Sequence, residues 1–247
     1  MGNKRPQLML KNINHNMAGP VVLFLSISLS ACSTQYKRII TEKAIISPNV
    51  KIDHCFEDEF RAEYSAEELF NEPIVEVPEW VEIISRNKNV VSSDKWPAIG
   101  ENAYVTDGKK VLGEDGYVEY EKGLQWIQID LERQSEIKVI WVWHMFDVWK
   151  SGAKTIYSDV IVQISDNENC SSSVKTVFNN DDDNSAGLGR GYDRLYVETC
   201  FGKPIILGET ITGRYVRLYS RGSTMNKYNC YVEVEVFGRA VRSGEKD

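Results

Sequence analysis

The chain has 247 residues, of which 42% are apolar, 11% aromatic and 26% charged, a composition that excludes disorder throughout and supplies enough apolar side chain for a core. Lys and Arg number 29 against 36 Asp and Glu, a net charge of −7, which argues against a nucleic-acid binder that neutralises phosphates with a basic surface. Three histidines and five cysteines leave little material for a zinc cluster or a His-based catalytic centre.

Residues 1–31 read as a segment to be removed. Lys4, Arg5 and Lys11 precede Met17 to Leu29, which carries no charge, and small residues follow before Cys32. A basic start, a short apolar run and a small-residue break mark a secretory signal. As a helix that run rises only about 20 Å, too little for a hydrocarbon core of about 30 Å. Leu29-Ser30-Ala31-Cys32 resembles a bacterial lipobox, which implies that Cys32 becomes the acylated first residue of the mature protein. Ser33 and Thr34 follow without an Asp, and the resemblance then implies the outer membrane where the host has one. Several acyl chains on one residue hold a protein firmly at a bilayer, whereas one chain is marginal.

Residues 32–77 are expected to form a tether. Within it Ser65-Ala66-Glu67-Glu68 has capping-box spacing and predicts a helix of one or two turns, stopped by Pro73. Cys55, Cys170, Cys200 and Cys230 remain after processing, and an oxidising compartment allows two disulfides in three pairings. At least one bridge among the last three is expected.

From about residue 78 the period becomes two. Gln125–Leu131 places Ile127, Ile129 and Leu131 on one face. Asp159–Ser165 does the same for Val160, Val162 and Ile164, and Tyr231–Phe237 sets Val232, Val234 and Val236 opposite Glu233 and Glu235. Ile137–His144 is apolar on both faces and predicts a central strand, with Trp141 and Trp143 in the core. Turns fall at Asp107-Gly108, Asp115-Gly116, Gly187 to Gly191, Thr212-Gly213 and Arg221-Gly222. Many strands without a long amphipathic helix point to an all-β antiparallel sandwich over residues 78–240, with a polar tail at 241–247.

Four pieces stand in a telling order: Ala103-Tyr104-Val105-Thr106-Asp107-Gly108, then Trp126 to Leu131, then Gly213-Arg214-Tyr215-Val216-Arg217-Leu218, then Glu233 to Gly238. The arrangement resembles the discoidin family, also called the coagulation factor V/VIII type C domain, a galactose-binding-like jelly roll common among bacterial carbohydrate-binding modules. It covers about residues 80–239. The resemblance implies a structural calcium where the early Asp-Gly loop meets the last strand. Asp107 and Glu233 match the family's carboxylates, and carbonyls near Tyr104, Lys109 and Val232 would add ligands; Lys109 departs from the Asn or Asp often found there. Calcium takes six to eight oxygens at about 2.3–2.6 Å.

The family's ligand contacts come from loops at one end of the sandwich. Between two strong strands, residues 144–158 carry His144, Trp149, Lys150, Lys154 and Tyr157. An aromatic ring offers a flat face to the C–H side of a sugar, while His, Lys and Arg donate to hydroxyls or acidic groups. A second loop, 178–194, carries Asp181, Asp182 and Asp183, expected to be a solvated acidic loop, and Arg190, expected to lean over the binding face. No G-x-S-x-G, H-E-x-x-H or P-loop occurs, although acids are plentiful enough to leave a glycosidase-type carboxylate pair open. The expectation is a lipid-anchored, non-catalytic protein that captures carbohydrate at the cell envelope, in the periplasm or at the surface. The alternative is an adhesion or structural module gripping a protein or phospholipid surface.

Overall fold

Alternating β-branched and aromatic residues put about half of the described residues beyond 74 into strands. The computed structural model describes residues 35–39, 72–112, 116–146 and 155–241. Among them the strands are β1 (Tyr36–Ile39), β2 (Val75–Pro78), β3 (Glu82–Ile83), β4 (Val90–Ser92), β5 (Val118–Tyr120), β6 (Gln125–His144), β7 (Ile156–Tyr157), β8 (Ile161–Ser165), β9 (Lys175–Asn179), β10 (Tyr196–Val197), β11 (Lys203–Ser220) and β12 (Asn229–Ala240). A 3-10 turn spans Asn102–Thr106. Every pairing is antiparallel, and the main path runs β3-β12-β6-β11-β8-β9, with β4 also on β6 and β5 on β12.

The long ribbon of β6 and β11 makes the sandwich. A straight strand of 20 residues would span about 66 Å at about 3.3 Å each. Yet Ile127 and Ile129 from its first half share one core with Ile140 and Val142 from its second half. The ribbon therefore folds over near Glu132–Ser135, where Glu132 takes a left-handed φ of 68° and the β11 register shifts between Gly213 and Tyr215. Its first half joins β4, β8 and β9 in one layer, and its second half joins β12, β3 and β5 in the other. This is the all-β antiparallel sandwich anticipated from the pattern.

The fold-over defines two poles. Gln125, Ser220, Asn229, Tyr120, Ile161, Asn179 and His144 stand at one, as the pairs Gln125↔Ser220, Asn229↔Tyr120, Ile161↔Asn179 and Tyr231↔His144 show. We call this the loop pole. The other, the bend pole, holds residues 132–136 with Arg239↔Glu136 and Gly238↔Glu82.

Ile127, Ile129 and Leu131 share the inner core, as do Val160, Val162 and Ile164. Trp141 and Trp143 are buried as expected, but on the outer face of the second layer, stacked at 5.7 Å in a cluster with Val139, Val232 and Phe237. Val232 departs from the expected alternation. A register shift between Tyr231 and Glu233 puts it on the outer side while Val234 and Val236 stay inside. A bulge of this kind re-aims the residues next to it.

That outer apolar stripe also explains why part of the expected tether is folded. β1 pairs with β2, from Tyr36↔Pro78 to Ile39↔Val75, and Val75 and Val77 bury against the tryptophan cluster. The I-V-E-V alternation at 74–77 carried this signal. The capping-box helix at Ser65–Glu68, Cys32 and Cys55 lie outside the described residues. The expected bridge among Cys170, Cys200 and Cys230 is not formed among the described residues. Cys170 lies 3.3 Å from Gln128 Oε1 in the first layer and Cys230 lies 3.4 Å from Glu119 Oε2 in the second, so the layers hold them apart.

Candidate functional site

At the loop pole, β9 ends in Asn179, which organises the 180–195 loop. Its side-chain oxygen accepts from the Asp181 amide (2.9 Å), its Nδ2 donates to the Gly189 carbonyl (2.9 Å), and its own amide donates to Asp193 Oδ2 (2.6 Å). Gly191 passes so close that a Cβ there would stand 2.1 Å from the Asn179 carbonyl oxygen, so only glycine fits without backbone movement. Asp181 is buried rather than solvated: its two oxygens accept the Ser185 and Ala186 amides, each at 2.9 Å. Asp182 and Asp183 are exposed, as expected. The Ser185 amide holds the Asp183 carboxyl below its usual range. Arg221 pairs with Asp159 and donates to the Ser185 carbonyl (2.9 Å), fastening the loop to its neighbours.

This framework encloses a concavity of about 410 Å³ between β9 and the loop, lined among others by Thr176, Asn179, Arg190, Tyr192 and Asp193. Tyr192 stands 86% exposed on it, with the Arg190 guanidinium 5.7 Å from the ring centroid. That is cation–π distance, and it orients the cation beside the ring. Among the described residues no carboxylate pairs with Arg190. The same pole carries Trp96, also 86% exposed, on a turn that Asp94 fixes by accepting the Trp96 amide (3.0 Å) and the Glu121 amide (2.9 Å). Sequence reasoning missed both rings. Tyr192 lies in G-L-G-R-G-Y, where the flanking glycines leave an aromatic nothing to pack on, and Trp96 sits between Asp-Lys and Pro.

Arg190 is thus at an open surface. His144 and Tyr157, expected beside it, are not: both are fully buried. The second half of β6 is sealed at its end by an aromatic cage in which His144 stacks on Tyr157 at 4.1 Å and meets Tyr231 at 4.5 Å and Tyr196 at 4.9 Å. Its Nδ1 and backbone amide both face Glu198 Oε2, at 3.0 and 2.9 Å. Burial pushes His144 down to about 3 and Glu198 well above its usual value. Trp149, Lys150 and Lys154 lie outside the described residues.

The early loop and the last strand do meet. The Gly108 amide donates to Glu233 Oε2 at 2.9 Å. Glu233 and Glu235, on the outer face of β12, are buried, and burial pushes Glu233 up to about 8. Glu233 Oε1 and Glu235 Oε2 are buried with no hydrogen-bond partner among the described residues, so two carboxylate oxygens at the expected junction are left unpaired. The Asp107 carboxylate is turned to the Lys109 amide (2.8 Å) and ammonium (3.2 Å). The Lys110 ammonium, itself buried, lies 2.7 Å from Glu235 Oε1 and 4.5 Å over Trp143. Arg86 donates to the Asp107 carbonyl and to Glu235 (3.4 Å each), filling the inside of the loop at Gly108. Side-chain cations thus sit on Glu235 and Asp107, and among the described residues no three His, Cys, Asp or Glu converge as a metal site. Tyr104 and Lys109 belong to the 3-10 turn and its exit, and Val232 to the bulge.

No protein-family model and no curated protein matches the chain. Among solved structures it is similar to chitosan-binding module 1 from a chitosanase/glucanase of Paenibacillus sp. IK-5, at 18% identity over 63% of this chain and 98% of that one, with a TM-score of 0.43. It is similar also to the family 32 carbohydrate-binding module of NanJ from Clostridium perfringens in complex with galactose, at 9% identity over 64% and 98%, with a TM-score of 0.45. A third is the family 89 glycoside hydrolase of Clostridium perfringens, at 14% identity and TM-score 0.45, where the match covers 67% of this chain and 16% of the hydrolase.

Proposed function

We propose that this chain is a non-catalytic carbohydrate-binding protein, held at the cell envelope by acylation of Cys32, that captures glycan at its loop pole. The observation that carries the reading is the exposed Tyr192 ring with Arg190 beside it, on the rim of a concavity whose loop is fastened by Asn179, Gly191 and Asp181. A fixed, bare ring takes the C–H face of a sugar, and a guanidinium with no carboxylate partner among the described residues donates to hydroxyls or to a sugar acid. Rigid presentation limits the ordering cost of binding.

A binding role fits the acids as well. A glycosidase needs two carboxyl groups flanking the bond, whereas the one acid lining this concavity, Asp193, already accepts the Asn179 amide. Glycan-array binding followed by calorimetry tests the reading. Tyr192→Ala and Arg190→Ala should each weaken binding about tenfold or more, since about 1.4 kcal/mol is tenfold in affinity, with no change in Tm. Undiminished binding in both variants, or turnover of the bound glycan, refutes it. For the anchor, Cys32→Ser should release the protein from membranes.

A further inference from the structure

The chain enters its folded body at a definite place. The Gln35 carbonyl accepts the Glu79 amide at 2.8 Å and Tyr36 pairs with Pro78. Glu79 leads through Trp80 and Val81 to Glu82, which pairs with Gly238 at the bend pole. Trp80 lies under Arg239 at 4.4 Å, and Arg239 is bonded to Glu136 of the fold-over at 2.7 Å. The entry point is thus the pole opposite Tyr192, Arg190 and Trp96.

The register of β1 and β2 adds a second constraint. Ile39 pairs with Val75, so the segment between β1 and β2 begins and ends at the same spot. Whatever its length, that segment adds no reach between Cys32 and the body. Only residues 33–35 do, and three residues extend at most about 11 Å.

We infer that the bilayer lies against the bend pole, with the loop pole facing away from it, so that the protein takes glycan presented from across the compartment rather than from its own membrane surface. This rests on the proposed acylation of Cys32. β12 runs from the loop pole to the bend pole in 12 residues, which puts the two poles about 40 Å apart at about 3.4 Å per residue. A body on so short a leash cannot invert freely.

The test uses the full acylated chain in vesicles with an acceptor dye on the lipid headgroups. A donor dye is placed through an encoded azido amino acid at Arg133, exposed at the bend, or at Asp182, exposed in the loop. Strong energy transfer from position 133 and its loss at position 182 are expected. A flexible 20-residue insert between Thr34 and Gln35, adding about 25 Å of mean reach, should erase the difference. The same insert between Pro48 and Asn49 should preserve it. Equal transfer from both positions in the parent chain, or loss of the difference with the insert at 48/49, overturns the inference. Membrane retention of Cys32→Ser overturns the anchor reading instead, so the two failures are distinct.

Discussion

Replacing Lys110 by methionine should destabilise the protein by about 3 kcal/mol. Lys110 is the nearer of two cations on Glu235, at 2.7 Å, and both side chains of that pair are buried. Removing one member of a buried pair strands the other charge, which typically costs about 3–5 kcal/mol. The low end applies because Arg86 remains at 3.4 Å, itself 41% exposed and so weakly held. For a body of this size a loss of 1 kcal/mol lowers Tm by about 2–4 °C, so a drop of about 6–12 °C is expected by calorimetry. Lys110→Met combined with Glu235→Leu should recover most of it, because neither charge is then left unpaired. A single variant within about 2 °C of wild type would refute the claim that Lys110 holds Glu235 at this junction.

His144 and Glu198 give the stability curve two limbs. His144 titrates near 3 when folded and near 6.5 when unfolded, so below 6.5 the unfolded chain takes up a proton the native state refuses, and stability falls with pH. Glu198 is raised when folded, so above its ordinary 4.5 the unfolded chain loses a proton the native state keeps, and stability falls as pH rises. The two act in opposite directions between about 4.5 and 6.5, and Glu233, raised to about 8, adds to the fall on the alkaline side. His144→Phe should flatten the acid limb and Glu198→Gln should lessen the alkaline one, to which Glu233 also contributes, read as Tm against pH; unchanged slopes would contradict the assignment. Gly191→Ala should lower Tm and weaken glycan binding together, because its Cβ must push the Asn179 carbonyl; equal Tm would show that the approach is looser than 2.1 Å. Asn179→Ala should cost about 1–3 kcal/mol by leaving the Gly189 carbonyl and Asp181 amide unsatisfied, checked by urea unfolding.

Strand faces were legible wherever the alternation met a single core: Ile127, Ile129 and Leu131, then Val160, Val162 and Ile164. Reading failed where a local irregularity or a second cluster intervened. The bulge at Val232 leaves no trace in V-E-V-E-V, and β1 and β2 looked like tether because their partner is an outer tryptophan stripe of β6, remote in sequence. Arg190 is exposed because a Gly-rich loop has little to bury it. His144 and Tyr157 were misplaced because an aromatic at a strand end serves a sugar or a core equally well, and only the position of Glu198, Tyr196 and Tyr231 decides.

By itself, the sequence determined what depends on neighbours a few residues away: an all-β body from period-two patterning, buried tryptophans from a strand apolar on both faces, and turns at its glycines. The resemblance it carries also implied that the Asp107–Gly108 loop meets Glu233, as the Gly108 amide does. Which charge fills that junction, which rings stay bare and which pole the chain enters are matters of packing between segments more than a hundred residues apart, as Gly108 and Glu233 are. Burial of a polar or aromatic group depends on what the fold brings against it from elsewhere, and local pattern holds no record of that.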